Sequence, residues 1–211
     1  MKKFELTAES KINIFGKKLF RIKALISFGD VEEGETGGWI EKEENLEQSS
    51  GDAWVSGDAW VSGDAEVYGN ARVSGNARVS GNARVSGNAR VSGNARVSGD
   101  ARVFGNAWVS GNARVSGNAR VSGNARVSGN ARVYGNADYT TIHGFGTQFR
   151  TTTFFQCEDK QIRVSCGCFL GTIPEFREQV KNTREGKIAE EYLMIADLME
   201  KHFVKEKESG E

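Results

Sequence analysis

The run GNARVSGNARVSGNARVS, residues 69–86, states one six-residue word three times, and its reading decides the fold. The word continues, with changes at its asparagine, arginine and serine places, from Gly51 to Thr140, which makes fifteen words with the last imperfect. A fixed short period with small and aliphatic residues in fixed places marks a solenoid, whose units bury their apolar positions only by stacking on one another. Ala71 and Val73 are separated by one residue, so in an extended segment both point inward, while Arg72 and Ser74 point outward. The Gly-Asn or Gly-Asp pair makes the corner, because both residue types tolerate positive φ.

Aligned on its valine, the word resembles the hexapeptide repeat of left-handed parallel β-helices, in which three words make one triangular coil. The expected fold is therefore mainly β: a left-handed hexapeptide solenoid of about five coils, rising roughly 24 Å at about 4.8 Å per coil. Fourteen valines, Val55 to Val133, would stack inside it at about 1.5 kcal/mol each before entropy is subtracted, with asparagine ladders at the corners. A period of three words sorts the outward residues into three faces. One carries Trp54, Arg72, Arg90, Trp108 and Arg126, a second Trp60, Arg78, Arg96, Arg114 and Arg132, and a third Glu66, Arg84, Arg102, Arg120 and Asp138. Arginines at one strand spacing repel by somewhat under ~1 kcal/mol in water, which stacked guanidinium planes, salt and neighbouring tryptophans relieve.

Three units are expected: an N-terminal β cap with an irregular first coil (1–50), the solenoid (51–140) and a C-terminal α+β domain (141–211). In the first, KINIF and KKLFRIKALISF read as strands around Phe15-Gly16-Lys17, with Phe20, Ile22, Ala24 and Ile26 on one face. Ile40 and Leu46 stand one word from each other, as an irregular coil requires, and Trp54 and Trp60 are expected to pack beneath this segment. At the other end Tyr139 takes the place of the inward valine and stops so narrow a core. Beyond it come two β-rich runs joined by a polar turn at 158–161. A helix opened by the capping-box spacing of Thr172 and Glu175 follows, then a second over 187–203 with Ile188, Tyr192, Ile195, Met199 and Phe203 on one stripe.

The segments FGDVEEGETGGWIEKEENL with GDAWVSGDAWVSGDAEVYGN, and RVSCGCFLGTIPEFREQVKNT with AEEYLMIADLMEKHF, resemble uncharacterised bacterial and phage hexapeptide-array proteins, some labelled transferases and others polymer-forming. That resemblance implies membership without implying one activity.

Composition narrows the function classes. Lys and Arg number 28, as do Asp and Glu, so no basic bias draws the whole chain to nucleic acid or membrane. The charge is uneven: ten arginines face six carboxylates over residues 51–140, for +4, and each flank is −2. With no apolar run of signal-peptide or membrane-span length, the chain is read as cytoplasmic, and its three cysteines as reduced. Cys157, Cys166 and Cys168 lack a zinc spacing, so no metal or cofactor is expected. An acyltransferase needs a general base, and the array holds no histidine; His143 follows it and His202 ends the last helix.

The expectation is a non-enzymatic binding or scaffold rod, a phage accessory protein acting on a host factor. Its candidate contacts are Arg78, Arg96, Arg114 and Arg132, the longest unbroken ladder, then Trp108 with Arg90 and Arg126. The partner is a protein or a second copy. The alternatives are a self-assembling polymer-forming protein, a polyanion-binding one with phosphates on the ladders and bases on Trp108, and an acyltransferase-like enzyme; no small-molecule substrate is identified.

Overall fold

Each word of the array places one residue pair in a two-residue parallel strand, every sixth residue from Trp54–Val55 to Arg132–Val133. The computed structural model, which describes residues 1–203, stacks these fourteen strands into three parallel sheets. Partners in a sheet stand at intervals of three words, as Arg78↔Arg96, Arg96↔Arg114 and Arg114↔Arg132 do. About five coils result, mainly β, as the spacing predicts. Every alanine from Ala59 and every valine from Val55 in the words up to Val133 is fully buried or within 1 % of it.

Two contacts hold the corners. Asparagine side chains bond along the axis, Asn70 to Asn88 at 3.1 Å, Asn88 to Asn106 at 3.0 Å and Asn106 to Asn124 at 3.2 Å. Beside them the glycines stack so closely that a Cβ on Gly87, whose φ is +65°, would lie 3.0 Å from the backbone nitrogen of Gly105. No larger residue suits that corner.

The N-terminal end is closed by strands β1 (Phe4–Ile12), β2 (Lys18–Ala24) and β3 (Thr36–Ile40), the last running parallel to the strand of Trp60. The fourteen strands of the array are thus β4 (Trp54–Val55) to β17 (Arg132–Val133). Ile40 pairs with Val61 and Leu46 with Val67, one word apart. Trp54 and Trp60 lie beneath it at 3 % and 6 % exposure, Trp54 edge-on to Phe4 and Phe28. The β2 strand departs from a one-sided pattern. It buries Leu19 against Trp39 and Trp60 as well as Ile22 and Ala24, so it is covered on both faces, and Phe20 and Ile26 are only half-buried.

At the other end Tyr139 leaves the array and begins a four-stranded antiparallel sheet of β18 (Tyr139–Phe145), β19 (Arg150–Gln156), β20 (Ile162–Cys166) and β21 (Phe169–Thr172). Four strands stand where the pattern suggests two runs. Phe155, fully buried, and Cys157 continue the solenoid's own core, and Cys157 bridges Ala131. The sheet's other face takes α1 (Ile173–Thr183) and α2 (Gly186–His202), packed through Phe154, Phe176, Tyr192 and Ile195. Thr172 accepts from the Glu175 backbone at 3.3 Å while Glu175 accepts from the Thr172 backbone at 2.7 Å, the capping box that the spacing implies. Residues 204–211 of the expected C-terminal unit lie outside the described residues.

Candidate functional site

The outward residues fall on the three faces as the three-word period demands, with the strand pairing placing each arginine directly over the next. On the second face Arg78 stands over Trp60 at 5.8 Å and is half-buried, while Arg96 and Arg114 are exposed. Partial burial, then the guanidiniums of Arg78, Arg114 and Arg132, holds Arg96 below the usual arginine range. The charges feel one another.

Arg132 differs from the other three. Only 8 % exposed, it pairs with Glu158 at 2.6 Å and donates to the carbonyls of Asn112 and Ala131 at 3.3 and 3.2 Å. It ties the end sheet to the rod and offers little to an outside partner. The bond it makes keeps the Glu158 carboxyl below the usual range. Nothing in the repeat marks Glu158 as that partner, since it lies in a turn reached only through the fold.

The first face divides likewise. Arg72 is half-buried and bonded to Asp30 of the N-terminal turn, Arg90 is exposed, and Trp108 is 40 % exposed with its indole N–H donating to Ser92 at 3.2 Å. Arg126 lies 5.8 Å from the Trp108 ring and donates to the carbonyl of Gly167 at 3.3 Å. The third face opens with an Arg84–Glu66 pair at 3.3 Å. It stops at Arg120, because Asp138 turns into a short helical turn and accepts from the backbone of Tyr134 and Gly135 at 2.8 and 2.9 Å.

Among the described residues, therefore, Arg78, Arg90, Arg96, Arg102, Arg114, Arg120 and Arg126 project from the rod without a carboxylate within ion-pairing distance. Within the N-terminal unit, which is −2 overall, residues 30–47 hold eight carboxylates against one lysine, and Asp30, Glu41 and Glu43 are already paired with Arg72, Lys17 and Lys2. Glu32, Glu33 and Glu44 there are exposed and bonded to no basic side chain among the described residues. This local excess is invisible in the zero net charge.

Residues 53–151 match the model of the bactofilins, a polymer-forming cytoskeletal family. The match spans the solenoid and the first strand of the end sheet. It covers just under half of the chain and leaves out the N-terminal closure and both helices. No curated protein gives a significant match to the chain. The similarity agrees with the solenoid, and of the readings drawn from the repeat it favours self-assembly over capture of a host protein. No three metal-binding side chains cluster among the described residues, and no described helix is long and apolar enough to cross a membrane.

Proposed function

We propose that this chain is a self-assembling, polymer-forming structural protein whose copies associate along their flanks. The observation that carries the reading is the similarity of the array to a polymer-forming cytoskeletal family. The geometry supports a particular mode. At both ends strands of the chain itself continue the solenoid's core, Ile40 at one and Phe155 with Cys157 at the other. Apart from the open corner at Gly123, bare coil ends are therefore not free to stack, and the rod's contacts fall to its sides. There Arg78, Arg96 and Arg114 form a positive stripe, and the acidic 30–47 end of a second copy complements it in a staggered pair. The tip of the β1–β2 hairpin exposes Ile12, Ile14 and Phe15 at 73 %, 66 % and 63 %, an apolar anchor with Phe15 edge-on to Trp60. A cytoskeletal role of this kind requires no reaction, and the arginines serve as contacts between copies.

Sedimentation velocity with negative-stain microscopy tests this at low and high salt, on the parent chain and on the Arg78→Ser, Arg96→Ser, Arg114→Ser triple variant. Polymers at low salt that shorten at about 0.5 M salt and in the variant are the expected result. A parent that stays monomeric at high concentration removes the proposal. Polymers indifferent to both changes would keep self-assembly and remove the arginine stripe.

A further inference from the structure

Where the solenoid ends, the space a further coil would fill on the first face remains open as a cleft of about 570 Å³. Its floor is Gly167, in the turn between β20 and β21, and two guanidiniums converge on that one residue. Arg126 donates to its carbonyl at 3.3 Å, and Arg150 of β19 lies so close over it that a Cβ there would stand 2.7 Å from Nη1. Gly167, at φ +62°, thus serves both the turn and the approach of Arg150. Among the described residues neither arginine is paired with a carboxylate, and no acidic side chain lines the cleft.

The asparagine ladder adds donors. Each rung in this column donates its amide N–H to the next higher residue, Asn70 to Asn88 to Asn106 to Asn124, so Asn124 ends the column, its oxygen accepting from Asn106 and its amide N–H₂ bonded to no further rung among the described residues. Asn124 lines the same cleft. On the rim Phe149 is 72 % exposed and holds φ +47°, a left-handed conformation that is costly for a bulky residue.

We infer that this cleft binds a nucleoside phosphate, with the phosphate between Arg126, Arg150 and the Asn124 amide and the base against Phe149. Two forked cations and an amide donor with no acidic neighbour suit a doubly charged phosphate, and an exposed ring beside them suits a planar base. The site is separate from the arginine stripe proposed for assembly, and nothing in that reading requires it.

The full chain is titrated with adenosine 5′-monophosphate, inorganic phosphate and adenosine by calorimetry, and with the two phosphates by ³¹P NMR. Submillimolar binding of the monophosphate is expected, weakened about tenfold or more by Arg150→Gln and again by Arg126→Gln, and by a smaller factor by Phe149→Ser. All three residues are exposed, so unchanged thermal unfolding of each variant verifies the fold. Equal affinity of the parent and the double arginine variant, or no binding of either phosphate probe at about 5 mM, would overturn the site. Adenosine binding as tightly as its monophosphate would overturn the phosphate's role, and inorganic phosphate binding as tightly would overturn the base's.

Discussion

Two glycines with the same backbone conformation isolate what close stacking contributes to the rod. Gly87 and Gly123 both have φ +65°, so alanine at either bears the same left-handed strain, about 1 kcal/mol. Their surroundings differ. A Cβ at Gly87 meets the nitrogen, oxygen and α-carbon of Gly105 at 3.0, 3.1 and 3.4 Å, all backbone, with no flexible side chain to give way. Above Gly123 there is nothing within 4 Å, because no further coil follows on that corner. Gly87→Ala must also separate neighbouring coils where they are bonded, the backbone N–H of Asn88 donating to the carbonyl of Gly105 at 2.8 Å. That adds overpacking of about 1–3 kcal/mol. The expected cost is therefore about 1 kcal/mol for Gly123→Ala and about 2–4 kcal/mol for Gly87→Ala. In urea unfolding followed by circular dichroism, the second midpoint falls about 1 M below the parent's. Equal midpoints for the two variants would show that glycine is required for its φ alone and that stacking sets no limit on the corner.

Arg96 and Arg132, identical in the repeat, are expected to respond in opposite ways. Arg96→Ser relieves a crowded guanidinium and leaves stability within about 0.5 kcal/mol of the parent, most favourably at low salt, whereas Arg132→Ala removes a buried side chain and the donor to two carbonyls and costs about 1–2 kcal/mol; paired urea curves at two salt concentrations check both. Burial raises the Cys157 thiol to about 11, so alkylation at pH 8 followed by mass spectrometry should mark exposed Cys168 and spare Cys157 until the chain unfolds. Because the folded thiol resists ionisation, its contribution to stability is intact below about pH 9 and is lost as pH rises toward about 11. Removing the hydroxyl at the start of α1 by Thr172→Ala breaks the capping box and costs about 1 kcal/mol, read as a lower thermal midpoint.

The repeat is legible because its information is local. Arg72, Val73 and Gly75 specify an outward residue, an inward one and a corner with no help from distant residues, and the three-word period then dictates every partner. The capping box at Thr172 and the stripe of α2 are local in the same sense. What the pattern hides depends on residues distant in sequence. Arg132 carries the same word as Arg96, and Glu158, brought back by the turn after β19, pairs with the buried one. Phe155 and Cys157 enter the solenoid core from a strand whose period says merely that one side is apolar. The cleft over Gly167 draws on the array, the β18–β19 turn and the β20–β21 turn together, so no single stretch announces it.

The threefold layout of the words makes length and orientation two separate settings of one gene segment. Gain or loss of eighteen residues, one whole coil, moves the terminal sheet along the axis by about 4.8 Å and leaves its bearing unchanged. Gain or loss of a single word swings that sheet, with α1 and α2, roughly a third of a turn around the rod and onto a different arginine face. Insertion or loss of words therefore changes the molecule's reach in small steps or its heading abruptly, with every residue of its two ends untouched.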